Sequence, residues 1–201
     1  MTSIEGSALG TRAAHHLART GLWRIEPGLT GVEFSRIEQE FGFEFSDDHR
    51  AFLAAGLPTG APPPEPGVFQ SATPWPDWRN GDPDELRERL NWPVDGVLFS
   101  VEHGYWHDTW GARPDDQAEA ITKARQNLHE VPRMVPIFSH RYLPAGRGTY
   151  GHPVLSMHQT DIIYYGIDLH DYIRQEFAGS SLSIDANWTP PAVVAFWRDF
   201  L

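Results

Sequence analysis

Cysteine is absent from the 201 residues. Disulfides, thiolate-bound zinc and thiol catalysis are thereby excluded. Long apolar runs are missing too. No window holds 18 uncharged apolar residues, so a membrane-crossing helix is not expected. Nor does a basic stretch lead into an apolar one near the N-terminus, so no signal peptide is expected and a cytoplasmic location follows as the default. Positive charge is scarce: 16 Lys and Arg stand against 27 Asp and Glu, a formal net charge of −11. That balance disfavours direct binding to nucleic acid or anionic membrane and favours a basic partner.

What remains is globular in character, with 40% hydrophobic and 21% charged residues. Proline (17) and tryptophan (8) are abundant, which points to a stiff, loop-rich fold with large aromatic anchors. Residues 1–20 show only a turn or two of helical pattern, in "TRAAHHLAR", and are expected to form a partly disordered tail, the first ten residues disordered.

The next segment, "LTGVEFSRIEQEF", carries a helix start. Thr30 caps, Glu33 completes a capping box three residues on, and Leu29 can staple to Phe34. Phe34, Ile37 and Phe41 recur at helical spacing, and Gly42 stops the helix. "FSDDHRAFLAAG" starts a second helix, with Ser46 as cap, Asp47 and Asp48 at its positive end, and Phe52 and Leu53 as core contacts.

Beyond the proline loop "LPTGAPPPEPG", Asp82-Pro83 opens a short helix in "DELRERL". "GVLFSV" (96–101) reads as a strand, and "HGYWHDTWGARP" (103–114) as irregular. "DDQAEAITKARQNLHE" predicts a helix with Ala118, Ile121, Ala124 and Leu128 on one face. "MVPIFSH" reads as a strand whose Pro136 requires an edge or a bulge. "PAGRGTYG" reads as a flexible link, "GHPVLSMH" and "DIIYYG" as a hairpin turning at Gln159-Thr160, "DLHDYIRQEF" as a helix, and "TPPAVVAFWRDF" as a last helix capped by Thr189. This order predicts an α+β domain: an antiparallel sheet with packed helices, two N-terminal helices and a C-terminal helix.

The stretch "LTGVEFSRIEQEFGFEFSDDHRAFLAAG" resembles the opening of the SUKH superfamily, the family of the fungal cell-wall-assembly regulator and of many bacterial toxin-immunity proteins. Phe45, Ser46 and Asp48 stand in that family's turn, and Phe52-Leu53 in its phenylalanine-leucine pair. "PVLSMHQTDIIYYG" followed by "DLHDYIRQEF" is similar to its last hairpin and closing helix. Ser46 replaces the usual proline, and the asparagine-glycine that often ends the second helix is absent. The resemblance implies one SUKH-like domain over 21–201, with an aromatic-rich insertion around 58–132. It also implies protein binding rather than catalysis, and no cofactor.

Among residues able to do chemistry, His103 and His107 have the i, i+4 spacing of zinc ligands but lie in a non-helical context. His140, His152, His158 and Asp161 lie on or beside predicted strands; convergence of three such groups is what a metal-dependent hydrolase would need. No serine occupies a nucleophile elbow and no glycine-rich phosphate loop is present. Most of the aromatic residues of the middle are expected to wall a core. The candidates for a partner-binding face are Trp75, Asp77, Trp78, Tyr105, Trp106, His107, Asp108 and Trp110, rings rimmed by acids. The expected function is that of an immunity protein occluding a basic toxin such as a nuclease. The alternatives are a regulatory or scaffold module without a toxin, and a His/Asp metal hydrolase.

Overall fold

A computed structural model describes residues 3–60, 74–179, 188–192 and 194–201. The fold is mixed α+β, with antiparallel sheets, as the sequence predicts. In chain order the described residues form α1 (Ile4–Thr20), β1 (Arg24–Glu26), α2 (Gly31–Phe41), α3 (Asp47–Ala55), β2 (Leu57–Thr59), α4 (Pro83–Glu102), α5 (Gln117–Leu128), β3 (Met134–Phe138), β4 (Arg141–Pro144), β5 (Val154–His158), β6 (Asp161–Gly166) and α6 (Leu169–Ala178). Strands β3 to β6 make an antiparallel meander in sequence order, and β1 pairs with β2 in a separate ribbon. No helix among the described residues is long and apolar enough to cross a membrane.

Both faces of the four-stranded sheet are covered. Val135, Ile137, Leu143 and Val154 point into a core shared with α1, α2, α3 and α6. Met134, Tyr142, Leu155, Met157 and Ile162 point the other way, into a core shared with the second half of α4, α5 and residues 194–200. Antiparallel sheets often leave one face to water. Here the strands carry apolar side chains on both sides, so each face needs a cover.

Several elements follow from local chemistry. The capping box of α2 is present in full: Thr30 Oγ1 accepts from the Glu33 amide and the Glu33 carboxylate accepts from the Thr30 amide. Gly42 ends α2 with φ +68, a conformation few other residues adopt. β3 is an edge strand with a register shift between Pro136 and Phe138, so the expected edge and the expected bulge both occur. The hairpin β5–β6 turns where expected, with Gln159 at φ +56.

Other expectations are corrected. Residues 4–20 are not a tail but a 17-residue helix lying against α3 and α6. Leu9, Ala13, Ala14 and Leu17 are its buried stripe, and its glycines permit close approach: a Cβ on Gly10 would meet the Asp48 carbonyl oxygen at 1.9 Å. "GVLFSV" is not a strand. It is the second half of α4, whose buried residues Leu86, Leu90, Pro93, Val97 and Val101 recur every three or four positions. Proline inside a helix leaves the carbonyl four residues back without its donor. That carbonyl, on Arg89, accepts instead from the Tyr142 hydroxyl at 2.9 Å. In α5 the inward face uses Ala120 rather than Ala118, which is exposed. Among its described residues the final segment forms a 3-10 turn, Trp197–Phe200, and no α-helix. β1, β2 and β4 were not anticipated by the sequence pattern, and most of the proline loop falls outside the described residues.

The link "PAGRGTYG" is tied to the start of α3. The Gly146 amide donates to the Glu44 carbonyl at 2.7 Å and the Asp47 amide to the Thr149 carbonyl at 2.8 Å. Asp47, fully buried, accepts from the amides of Ser3 and Gly148; Asp48, also buried, accepts from the amides of His49 and Gly151. Ser46 holds the N-cap position as expected, but its hydroxyl does not bond a helix amide; it donates to Asp48 Oδ1 at 2.8 Å. Two buried carboxylates at the positive end of a helix thus fasten α1, α3 and the β4–β5 link together.

Candidate functional site

The six rings among the eight residues proposed from sequence for a partner face divide between the two cores. Trp75 is 3% exposed and packs against Trp23, Phe138 and Phe177; Trp78 is 1% exposed among Phe41, Phe43 and Phe45. Their rings are core, so the expectation that they anchor a partner is corrected. Asp77 accepts from the amides of Arg79 and Asn80 and closes a turn.

The segment "HGYWHDTWGARP" closes over the other core. His107 and Trp110 are buried; the imidazole packs beside Phe196, with its Nε2 3.5 Å from an Asp199 oxygen and its Nδ1 2.8 Å from Thr109 Oγ1. The Trp106 indole donates to the Gly111 carbonyl at 2.7 Å and stands edge-on to Trp110. Burial, reinforced by the nearby Asp108 and Asp199 charges, pushes the Tyr105 hydroxyl up to about 12. Asp108 is exposed, while Tyr105 and Trp106 are half-buried. This segment fastens residues 194–200 down more than it displays anything.

The metal candidates do not converge. His103 ends α4, with Nδ1 2.8 Å from the Phe99 carbonyl oxygen, whereas His107 sits in the aromatic cluster just described. His140 lies next to Ser139 Oγ, and burial lowers its pKa. The pKa of His152 is lowered by burial too, against the opposing pull of Asp48. His158 and Asp161 face each other across the β5–β6 turn. Among the described residues no three His, Asp or Glu side chains are grouped to hold a metal ion.

The exposed aromatic surface lies elsewhere, on α4. Trp92 is 48% and Phe99 45% exposed. With a helical period of 3.6, Glu88, Trp92, Asp95, Phe99 and Glu102 share one stripe, and all five are exposed. Acid and aromatic alternate along it. Of the arginines on the helix, Arg87 is engaged with Asp84 at 2.8 Å and Glu40 at 3.6 Å, and Arg89 donates to the Pro74 carbonyl at 3.3 Å. The Trp92 indole donates to the Met157 carbonyl at 3.3 Å, which holds the ring against the sheet edge. Phe99 stacks on His103 with ring centres 4.2 Å apart. Between the two rings Gly96 rests on the β5–β6 turn; a Cβ there would meet Gln159 Cα at 2.8 Å. The result is a cavity of about 210 Å³ lined by Trp92, Asp95, Gly96, Phe99, His158 and Gln159.

No protein-family model, curated protein or solved structure matches this chain. What the stripe does must follow from its own chemistry. It is hidden in the sequence because Pro93 and the short apolar run 96–101 after it disguise the helix. Once 83–102 is taken as one helix, the spacing of Trp92 and Phe99 is the signal that finds them.

Proposed function

We propose that this chain is a cytoplasmic protein-binding domain of SUKH type, an immunity-like protein that occludes a basic toxin domain such as a nuclease. The observation that carries the reading is the α4 stripe: two aromatic rings nearly half exposed, set between exposed Glu88, Asp95 and Glu102. Rings of this kind supply affinity when a partner buries them, and the acids steer a basic surface towards them. The net charge of −11 acts in the same direction at long range. The SUKH reading is supported by the residues that carry the resemblance. Phe45, Asp48, Phe52 and Leu53 are all buried at the junction of α2 and α3, as an architectural signature should be.

The test is capture of a partner from host lysate on the immobilised protein, washed at rising salt. A basic protein is expected, eluting as ionic strength increases, and lost when Trp92→Ala and Phe99→Ala are combined. The reading fails if capture is indifferent to both substitutions, or if the purified chain alone turns over a substrate and needs its histidines to do so.

A further inference from the structure

The cavity between Trp92 and Phe99 combines two aromatic walls with one carboxylate. The two rings stand seven residues apart on one helix, about 10 Å along the axis, and border the same space. Aromatic faces attract a cation that comes within ~6 Å of them. The His158 ring stands 6.4 Å from Trp92 at a steep angle and closes the side. Gly96 contributes no side chain, so the space between the rings stays open down to the backbone of Gln159. Asp95 is the one carboxylate in the lining and is exposed.

We infer that this cavity receives a single arginine side chain of the basic partner, its guanidinium seated between Trp92 and Phe99 with Asp95 as counter-charge. The inference rests on the protein-binding reading and names the group that the stripe recognises. Charge favours a cationic occupant, because the lining carries a carboxylate and no lysine or arginine. Shape decides for arginine over lysine. The planar guanidinium stacks on ring faces and offers a fork of donors to a carboxylate, and it is less strongly hydrated than an ammonium. Glu88 and Glu102, above and below on the same stripe, extend the negative field along the approach.

The probe is a Gly-Arg-Gly peptide with blocked ends, titrated at about pH 8, where free imidazoles are neutral, while the Trp92 indole resonance is followed by NMR. The control peptide carries citrulline, the neutral isostere. Saturable movement of the Trp92 signal is expected with arginine, at affinity in the millimolar range suited to one isolated side chain, and about tenfold weaker or absent with citrulline. Asp95→Asn should weaken the arginine peptide severalfold and Trp92→Leu should abolish its effect on the Phe99 ring signals. The buried Trp197 indole, bonded to the Pro132 carbonyl, reports in each variant that the fold is intact. Equal responses to arginine and citrulline, or indifference to Asp95→Asn, overturn the inference. If a partner is still captured through Trp92 and Phe99 in that event, the binding reading stands and only the arginine assignment falls.

Discussion

The Tyr142 hydroxyl shows how one side chain can license a backbone that a mid-helix proline disfavours. Pro93 removes the donor that would meet the Arg89 carbonyl, and Tyr142, from the neighbouring strand, supplies another. Tyr142 is almost wholly buried, and burial raises its pKa far above the ordinary value, so the hydroxyl remains a donor. Replacing it with phenylalanine keeps the ring and strands the carbonyl, at an expected cost of about 1–2 kcal/mol. In a Pro93→Ala background the helix regains its own donor, and the same Tyr142→Phe change should cost distinctly less. Urea unfolding of the four proteins gives the coupling directly. Equal costs in both backgrounds would show that the hydroxyl serves another purpose.

Among the elements, those with strong terminal chemistry were legible and those defined by packing were not. α2 announced itself through Thr30, Glu33 and Gly42, and α6 through the helical spacing of Leu169 and Ile173; the structure adds an Asp168 cap that accepts from the Asp171 amide. α1 was hidden because its inward face is built from small residues, and glycines in a helix normally argue against one. Gly10 is present for the proximity of α3, a reason local sequence cannot display. Gly10→Ala should therefore cost roughly 2–4 kcal/mol, because the added methyl meets backbone rather than a movable side chain. Gly31→Ala, where a Cβ meets nothing within 4 Å, should be neutral or slightly stabilising. Chemical denaturation of both variants tests the contrast, and similar losses would contradict the α1–α3 packing. The candidate site was misplaced for a related reason. Tryptophan in an irregular, acidic stretch looks available for binding, yet Trp75 and Trp78 fill the space between helices. The exposed pair sits on a helix that Pro93 concealed.

For the molecule as a whole, the buried histidines set the response to acid. Burial lowers the pKa of His49 from its ordinary 6.5 to about 3. Burial is also the main cause of lowered values at His16, His140, His152 and His170. The unfolded chain binds these protons first, so their contribution to stability is complete above the ordinary histidine range and falls as pH drops below it; for His49 the loss runs from about 6.5 towards 3. Over that range the His49 proton contributes a slope of about 1.4 kcal/mol per pH unit. Asp48 opposes them: burial raises its pKa above the ordinary 3.8, so its contribution is present at low pH and is lost as pH rises through the folded value. The histidines outnumber it. Urea midpoints should drop between neutral pH and about pH 5, and the drop should be shallower by about one proton in His49→Leu. A flat profile, or an unchanged slope in the variant, would contradict the assignment.

The doubly covered sheet has a consequence in time as well as in space. The four strands follow one another along the chain and pair with immediate neighbours, so the ladder itself needs only short loops to close. Each roof is only half local: α5 and α6 adjoin the meander in sequence, whereas α1, α2 and α3 lie long before the strands and residues 194–200 after them. The meander can therefore assemble before either roof is complete, and during that interval it presents part of both apolar faces and two open edges to every other chain in solution. The same arrangement that makes the finished protein dry on both sides of its sheet makes the unfinished one sticky on both sides.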